Sequence, residues 1–217
     1  MAAAIRSAPP GAEVIVVDGG SRDGTARVAA DSGARVLPAP RGRAVQLNRG
    51  ARAAGGEWLL FLHADCRLPE NAASEIRRLL RAPGVVGGWF PLRIASAGRL
   101  LRLGARGSNL RARCLRLPYG DQAIFARRKA FLAAGGFPDD PIMEDAGLAR
   151  RLRRLGQLAP AAAAVTTNAG HWERLGPVLT AVLDYLALAA WLLRAPPRWI
   201  ARVYLPLQRG PRPRRSP

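Results

Sequence analysis

The stretch Trp58-Leu-Leu-Phe-Leu-His63-Ala-Asp65 runs from five consecutive apolar residues directly into a histidine and a carboxylate. An apolar run that is so short and so continuous is typical of a buried strand in a parallel sheet. In open α/β sheets, ligands bind beyond the carboxyl ends of such strands. The stretch therefore predicts an α/β protein whose chemistry takes place close to Asp65.

Predicted strands and helices alternate along the first half of the chain. Each predicted strand contains a short apolar run, and glycine residues end several of the helices. This alternation is typical of an α/β fold with a mostly parallel sheet. The predicted strands are 13–18, 34–37, 58–62 and 85–94, and the predicted helices are 25–32, 43–54 and 69–81.

The second half of the chain is less regular. Helices are predicted at 100–115, 129–134, 146–155 and 178–193, with a strand at 165–168. The prolines at 196 and 197 are expected to end the last helix, and a basic tail follows them.

Composition indicates one globular domain in a reducing compartment. The chain has 217 residues, an apolar fraction of 49% and a formal net charge of +19. Such a charge suggests nucleic acid or an anionic membrane, but only Lys129 among the basic residues is a lysine, and no nucleic-acid-binding motif is present. We therefore expect no nucleic-acid partner. Cys66 and Cys114 provide no disulfide framework, which favours a cytoplasmic location.

Carboxylates follow two of the predicted strands, and each has two interpretations. Asp18 ends the first strand and, with Asp23, either accepts hydrogen bonds from a nucleotide or caps the turn. Asp65 either binds a divalent cation or caps the helix predicted from residue 69.

A third acidic site is the pair Glu144 and Asp145. Adjacent acids do not share a helix face, so we expect the two side chains to point to different places. One of them could remove a proton from a hydroxyl group. The alternative is that both are charges that the dipole favours at a helix N-terminus.

The order of these motifs is more specific than any one of them. The chain carries Val-Val-Asp18-Gly-Gly-Ser-x-Asp-Gly-Thr, then Phe-Leu-His-Ala-Asp65, then Gly120-Asp-Gln, then Gly-Gly-Phe137 followed by Glu-Asp145. In this it resembles the family 2 glycosyltransferases of the GT-A fold, a Rossmann-like fold of nucleotide-diphospho-sugar transferases. The most similar subgroup is the small bacterial radical-SAM/selenodomain-associated glycosyltransferases. The resemblance covers roughly residues 12 to 175.

The resemblance implies an inverting, metal-dependent transfer of a sugar from a nucleotide-diphospho-sugar to an acceptor hydroxyl. Asp145, beside Glu144, matches the catalytic base, and Asp65, with His63 in place of the first acid of the motif, matches the Mg²⁺ or Mn²⁺ site. The residues that match nucleotide-binding positions are Asp18, Gly20, Ser21, Asp23, Arg43, Asn48 and Asp65. The residues that match the acceptor side are Gly120, Asp121, Gln122, Trp172 and Arg174.

One part of the family pattern is not matched. Family members begin with a further strand and helix before the strand that ends in Asp18, and residues 1–10 could supply only the end of that helix. We therefore expect a sheet that lacks one strand, with reduced stability and doubtful activity. A nucleotide-sugar-binding remnant without catalysis remains an alternative. A nucleotidyltransferase is a weaker one, because no glycine-rich, lysine-bearing loop is visible.

The C-terminal region, residues 176–217, is expected to follow a glycosyltransferase domain at 1–175. Its apolar helix would be about 24 Å long, which is shorter than the roughly 30 Å core of a bilayer, and Asp184 interrupts it. The helix would pack on the domain or lie in a membrane interface. Aromatic residues and arginines in the tail suit an anionic membrane surface at the inner face of the cell membrane, where a lipid acceptor would fit. A disordered basic end is the alternative.

Overall fold

The computed structural model describes residues 1–96, 98–170 and 175–208. Strands and helices alternate in the order expected for an α/β fold. The strands are β1 (Ile15–Asp18), β2 (Arg35–Pro38), β3 (Trp58–Leu60), β4 (Cys66–Arg67), β5 (Val85–Trp89), β6 (Leu92–Ile94), β7 (Phe125–Arg127), β8 (Gln157–Pro160) and β9 (Val165–Thr167). The helices are α1 (Ala2–Arg6), α2 (Thr25–Asp31), α3 (Arg43–Ala53), α4 (Ala72–Arg81), α5 (Arg99–Leu115), α6 (Arg128–Ala133), α7 (Glu144–Leu152), α8 (Pro177–Leu192) and α9 (Pro197–Gln208), with a 3₁₀ turn at Gly120–Gln122.

The strands form three hydrogen-bonded groups, which are β1-β2, β3-β7-β5-β8 and β4-β9-β6. Three pairings are parallel and three are antiparallel, so the sheet is mixed rather than mostly parallel as we expected. Strand β3, predicted to lie in a parallel sheet, pairs antiparallel with β7. The prediction was wrong on this point because burial on both faces gives the same apolar run in either orientation.

The four-stranded group is buried on both faces. Adjacent side chains of β7 point to opposite sides, so Phe125 packs in one apolar cluster with Phe90, and Ala126 packs in the other. Both phenylalanines are fully buried, and each contributes about 1.5–3 kcal/mol through the apolar surface it removes from water. This rigid group supports the end of β3, where the histidine and carboxylate emerge.

The β1-β2 pair has a smaller apolar cluster of its own. Buried Ile5, Ala29 and Ala34 form its centre, and partly buried side chains of both strands surround them. Among the described residues, β1 has a hydrogen-bonded strand neighbour on one side only, which is β2. Helix α3 joins this pair to the rest of the fold, since Nε2 of Gln46 donates to the carbonyl of Val17 at 2.8 Å.

The segment predicted as a basic tail forms a helix up to residue 208. Helix α9 begins at Pro197, and proline is well tolerated in the first turn of a helix. Ile200 and Ala201 are buried against the same apolar cluster that receives Leu188 of α8. The prediction failed because the arginines concealed this apolar spacing. No helix in the described ranges is long and apolar enough to cross a membrane.

Candidate active site

Arg43, the first residue of α3, holds together side chains from three parts of the chain. Its Nε lies 3.0 Å from Oε1 of Glu144, and its Nη2 lies 3.1 Å from Oδ2 of Asp145. The same Nη2 is 2.7 Å from Nε2 of His63, just beyond β3. The guanidinium therefore joins α3, the end of β3 and the start of α7 in one polar cluster.

Glu144 and Asp145 converge on this guanidinium, although we expected them to point to different places. Met143, in the left-handed conformation with φ of 63°, turns the chain just before α7, so that both acids lie in the first turn of the helix beside Arg43. Their exposed fractions are only 3% and 7%. Burial raises the pKa of Glu144, the neighbouring Asp145 raises it further, and Arg43 opposes both effects.

The carboxylate of Asp145 is held in one orientation. Its Oδ2 accepts hydrogen bonds from Nη2 of Arg43 and, at 2.8 Å, from the backbone N–H of Gly120. Within the described part of the chain both donors bind the same oxygen, which leaves Oδ1 to approach a substrate hydroxyl. A positioned carboxylate of this kind can act as a general base.

Gly120 is needed for the close approach of these groups. A Cβ atom at this position would lie 2.3 Å from Nε2 of His63 and 2.8 Å from both Nη2 of Arg43 and Oδ2 of Asp145. No side chain fits without moving the cluster. Gly120, which the sequence placed on the acceptor side, therefore lies at the centre of the site.

Asp65 is exposed, and it is not a helix cap. Helix α4 begins at Ala72 after Asn71, rather than at residue 69 as predicted. Asp65 thus lies outside the helix start, and the alternative that it caps the helix does not apply. Its carboxylate is instead close to two other possible metal ligands.

The ligand atoms of His63, Asp65 and Cys66 lie within 4.8 Å of one another. Burial raises the pKa of the Cys66 thiol to about 12, and sulfur is a soft ligand, whereas Mg²⁺ and Mn²⁺ prefer oxygen. Arginine only donates hydrogen bonds, so Nε2 of His63 accepts from Arg43. A cation would therefore bind His63 through Nδ1 or replace Arg43 at Nε2. The set fits a hard divalent ion that Asp65 holds first and that takes further oxygens from a phosphate group.

The two acids of the turn after β1 accept hydrogen bonds from residues close to them in the chain. Oδ2 of Asp18 accepts from the backbone N–H groups of Gly20 and Ser21, both at 3.0 Å. The hydroxyl and backbone N–H of Ser21 lower the pKa of Asp18, so the carboxylate stays ionised. Asp23 accepts from the N–H and hydroxyl of Thr25, the first residue of α2. The turn contacts the segment before α3, where Nε of Arg41 donates to the carbonyl of Gly19.

Asn48 and Gln122, two further predicted site residues, make structural contacts. Both polar atoms of the Asn48 amide bind the backbone of Phe137, at 2.9 Å each, which ties α3 to the loop before α7. Gln122 is fully buried, and its Oε1 accepts from Nη2 of Arg111 at 3.1 Å and from the N–H of Tyr119. Gln122 therefore fixes the turn that carries Gly120 and Asp121. Trp172 and Arg174 lie outside the described residues.

Arg111 and Tyr119 belong to this region and were missed by the sequence analysis. The guanidinium carbon of Arg111 lies 3.4 Å from the centre of the Tyr119 ring. Arg111 is only 8% exposed, which is unusual for an arginine. The available signal was the position of Tyr119 directly before the Gly-Asp-Gln motif.

Comparisons with known proteins identify the family to which these motifs correspond. The family model described as "Glycosyl transferase family 2" matches residues 2–132. No protein with curated function matches the sequence.

Solved structures of enzymes resemble the fold. A glucosyl-3-phosphoglycerate synthase from Mycobacterium tuberculosis, in complex with Mn²⁺, UDP-glucose and phosphoglyceric acid, is 23% identical with a TM-score of 0.55, over 76% of this chain and 66% of its own. A mannosyltransferase from Pyrobaculum calidifontis, in complex with GDP-mannose and Mn²⁺, is 21% identical with a TM-score of 0.58, over 82% of this chain and 54% of its own. The chain thus spans between about half and two thirds of the length of these proteins, and the likeness establishes its fold.

Proposed function

The chain belongs to glycosyl transferase family 2 and has the GT-A fold, and from this premise we propose that it transfers a sugar from a nucleotide-diphospho-sugar to an acceptor hydroxyl with inversion. The observation that carries the proposal is the buried Asp145, whose carboxylate Arg43 and Gly120 hold beside His63. The histidine in place of the first acid of the metal motif, together with the Gly120-Asp-Gln element, supports placement in the radical-SAM/selenodomain-associated bacterial subgroup.

Asp145 is the proposed base. The acceptor oxygen attacks the anomeric carbon on the face opposite the diphosphate, and its proton passes to Oδ1 of Asp145. As the new C–O bond forms, the bond to the diphosphate oxygen breaks, and that oxygen keeps the electron pair. Arg43 and the N–H of Gly120 hold the carboxylate towards the hydroxyl throughout this step.

Asp65, with His63 as its second ligand, is the proposed holder of Mg²⁺ or Mn²⁺. When bound, the ion would neutralise charge on the leaving diphosphate. The Mn²⁺ complexes of the two similar enzymes support this choice of cofactor. The exposed position of Asp65 leaves its carboxylate accessible to a donor from solvent.

The donor nucleotide is proposed to lie along the turn after β1. Asp18, with Gly20, Ser21 and Asp23, would face the base and ribose. Contact between this turn and the segment before α3 supports a continuous surface from Asp18 to Arg43. The remaining proposed residues are Asp65 on the nucleotide side and Asp121, Trp172 and Arg174 on the acceptor side. Asn48 on the nucleotide side and Gln122 on the acceptor side would act by positioning their neighbours.

We also propose that the protein works in the cytoplasm, at the inner face of the cell membrane. Support comes from α5 and α9, which expose both large apolar side chains and arginines, and from α8, which exposes large apolar side chains. These side chains suit the boundary between anionic headgroups and acyl chains.

The proposal is tested by measuring release of nucleoside diphosphate from UDP-glucose or GDP-mannose with Mn²⁺. The Asp145→Asn variant should lose about 10²–10⁴-fold in turnover, because the base is removed. Asp139→Asn, an exposed acid before the same helix, is the matched control and should behave as wild type. Donor turnover that survives Asp145→Asn would refute the assignment. Metal-dependent donor binding without turnover in the wild type would favour the non-catalytic alternative.

A further inference from the structure

A long apolar groove lies between α5 and α8, outside the cluster around Arg43. Its volume is about 800 Å³, within the range of about 300–1,000 Å³ that is usual for small-molecule sites. Leucine and valine side chains form much of its apolar surface, including Leu100, Leu103, Leu110, Val178 and Leu186. Each of these five is between 56% and 64% exposed. Contiguous exposed apolar surface of this kind usually marks a binding site.

The helices around the groove carry an excess of positive charge. In the described residues of α5, α8 and α9 the one acid is Asp184, which lines the groove and accepts a hydrogen bond from the hydroxyl of Tyr204. Arg106 also lines the groove, and the other exposed arginines of α5 and α9 are Arg99, Arg102, Arg113, Arg198 and Arg202. An apolar groove on helices with such an excess of positive charge complements an amphiphile that has a hydrocarbon chain and an anionic headgroup.

The same charges argue against a second copy of the chain as the occupant. In a twofold dimer, each face meets its own equivalent. The exposed arginines of the two copies would then lie close together, with Asp184 as the one acid in the described residues of these helices, and close like charges are destabilising. A lipid therefore fits this surface better than self-association.

The groove is connected to the acceptor side of the site. Arg111 lines the groove and also donates to Gln122 Oε1, and its guanidinium packs on the ring of Tyr119. The next residue along the chain, Gly120, donates its N–H to Asp145. Arg111 therefore joins one wall of the groove to the turn that holds the carboxylate of the proposed base.

We propose that the groove binds the hydrocarbon chain of the acceptor, and that the acceptor is an anionic lipid whose headgroup carries the hydroxyl that receives the sugar. This inference rests on the proposed glycosyl transfer, and the bonds that form and break are those given for that step. Arg106 and neighbouring arginines of α5 bind the anionic headgroup, and the apolar walls of the groove contact the hydrocarbon chain.

Binding to lipid is measured separately from turnover. Wild-type protein is sedimented with phosphatidylglycerol vesicles and with phosphatidylcholine vesicles, and is titrated with monomeric lyso-phosphatidylglycerol by intrinsic tryptophan fluorescence. The expected result is binding to both phosphatidylglycerol forms and at least about tenfold weaker binding to phosphatidylcholine, whose headgroup has no net negative charge. Equal binding to both kinds of vesicle, or binding to vesicles without binding to the monomer, would overturn the proposed site.

The variant Leu103→Gln/Leu186→Gln removes apolar surface from both walls of the groove. We expect it to bind monomeric lyso-phosphatidylglycerol about tenfold or more weakly, while its thermal melting and its donor hydrolysis stay unchanged. Leu132→Gln, at an exposed leucine of α6, is the matched control and should bind as wild type. Unchanged lipid binding in the double variant overturns the inference. The inference is also overturned if light scattering shows the wild type as a dimer and the double variant as a monomer, because self-association would then explain the exposed apolar groove. Absence of donor hydrolysis in all forms would instead refute the proposed function.

Discussion

Arg43 shows how one side chain makes a buried acidic pair tolerable. Glu144 and Asp145 are adjacent, nearly buried and of like charge, which alone would disfavour the folded state. The guanidinium contacts one acid through Nε and the other through Nη2. Its planar shape provides several donors in fixed directions, whereas a lysine would offer a single ammonium group. The site therefore depends on arginine as such at this position.

Replacing Arg43 should therefore destabilise the protein more than replacing another arginine of the same helix. Because the Arg43 side chain is 55% exposed, we expect Arg43→Ala to cost about 1–3 kcal/mol, less than for a fully buried pair. Arg43→Lys should cost less, because the charge remains. Urea unfolding at pH 7 measures the free energy of unfolding, and Arg52→Ala, an exposed position in α3, is the control. Equal losses at positions 43 and 52 would contradict the role given to Arg43.

Glu144 provides a pH-dependent test of the same arrangement. Its pKa is raised in the folded protein above the ordinary 4.5, so the native state holds this proton more tightly than the unfolded state does. Stability should then fall as pH rises from about 4.5 through the folded pKa, and Glu144→Gln should remove that loss. In thermal melts from pH 4 to 8, the Tm of Glu144→Gln minus the Tm of the wild type should become more positive as pH rises and should then level off.

Glu75 provides a control in which the expected pH dependence of stability is reversed. Hydrogen bonds from Arg78 and from the N–H of Ala162 lower its pKa. Its stabilisation is present above the unfolded pKa and is lost as pH falls through the lower folded pKa. Glu75→Gln should therefore lower Tm at neutral pH, and the difference should shrink in acid. The same pH trend in both variants would show that the local contacts do not set these pKa values.

Single elements explain why some features could be predicted from the sequence and others could not. Apolar runs and glycine stops located β1, α2, α3 and α5 within one or two residues, because local periodicity alone determines them. Strands β4 and β8 were missed, because two to four residues give too little pattern. Helix α9 was not predicted, because its arginine and proline residues interrupt the apolar spacing that indicates a helix.

The sequence indicated Asp65 and Asp145 as candidates, but it did not indicate how the residues around them are arranged. Position after a strand or before a helix left two interpretations for each acid, and the family resemblance assigned their roles. The contact between Arg43 and Asp145 joins residues 102 positions apart, and no local pattern encodes it. The convergence of both acids on one guanidinium also depends on the left-handed backbone of Met143, which is unusual for a residue with a side chain.

The 3₁₀ turn at Gly120–Gln122 offers a test of the close approach around Asp145. In Gly120→Ala, the new methyl group would collide with Nε2 of His63, Nη2 of Arg43 and Oδ2 of Asp145, so the cluster has to shift. We expect a loss of about 1–3 kcal/mol in unfolding free energy, as for Arg43→Ala, and a loss of at least about 10²-fold in turnover, because the base is displaced. Gly55→Ala, where the nearest atom is 3.9 Å away, is the matched control. Turnover that survives Gly120→Ala would show that this close approach is unnecessary.

At the scale of the whole molecule, the strand groups differ in how much apolar packing stabilises them. The β3-β7-β5-β8 group lies between two large apolar clusters, and α8 and α9 pack on one of them. The β1-β2 pair has only a small cluster, and every residue of β1 is half-buried. The proposed nucleotide turn at Asp18 is carried by this weaker part, whereas Asp145 is carried by the stronger one.

Hydrogen exchange should reveal this division. Local opening is easiest where few apolar contacts and few strand neighbours hold the backbone, so amides of 15–18 and 35–38 should exchange faster than those of 85–89 and 125–127. The link through Gln46 and Val17 makes α3 the restraint on this opening, and Gln46→Ala should accelerate exchange in β1 while leaving β5 unchanged. UDP or GDP with Mn²⁺ should slow exchange in β1, because a nucleotide bound at the Asp18 turn stabilises the closed form. Equal protection of β1 and β5 in the free protein would mean that the β1-β2 pair opens only when the whole fold opens. The turn at Asp18 would then be as rigid as the segment that carries Asp145.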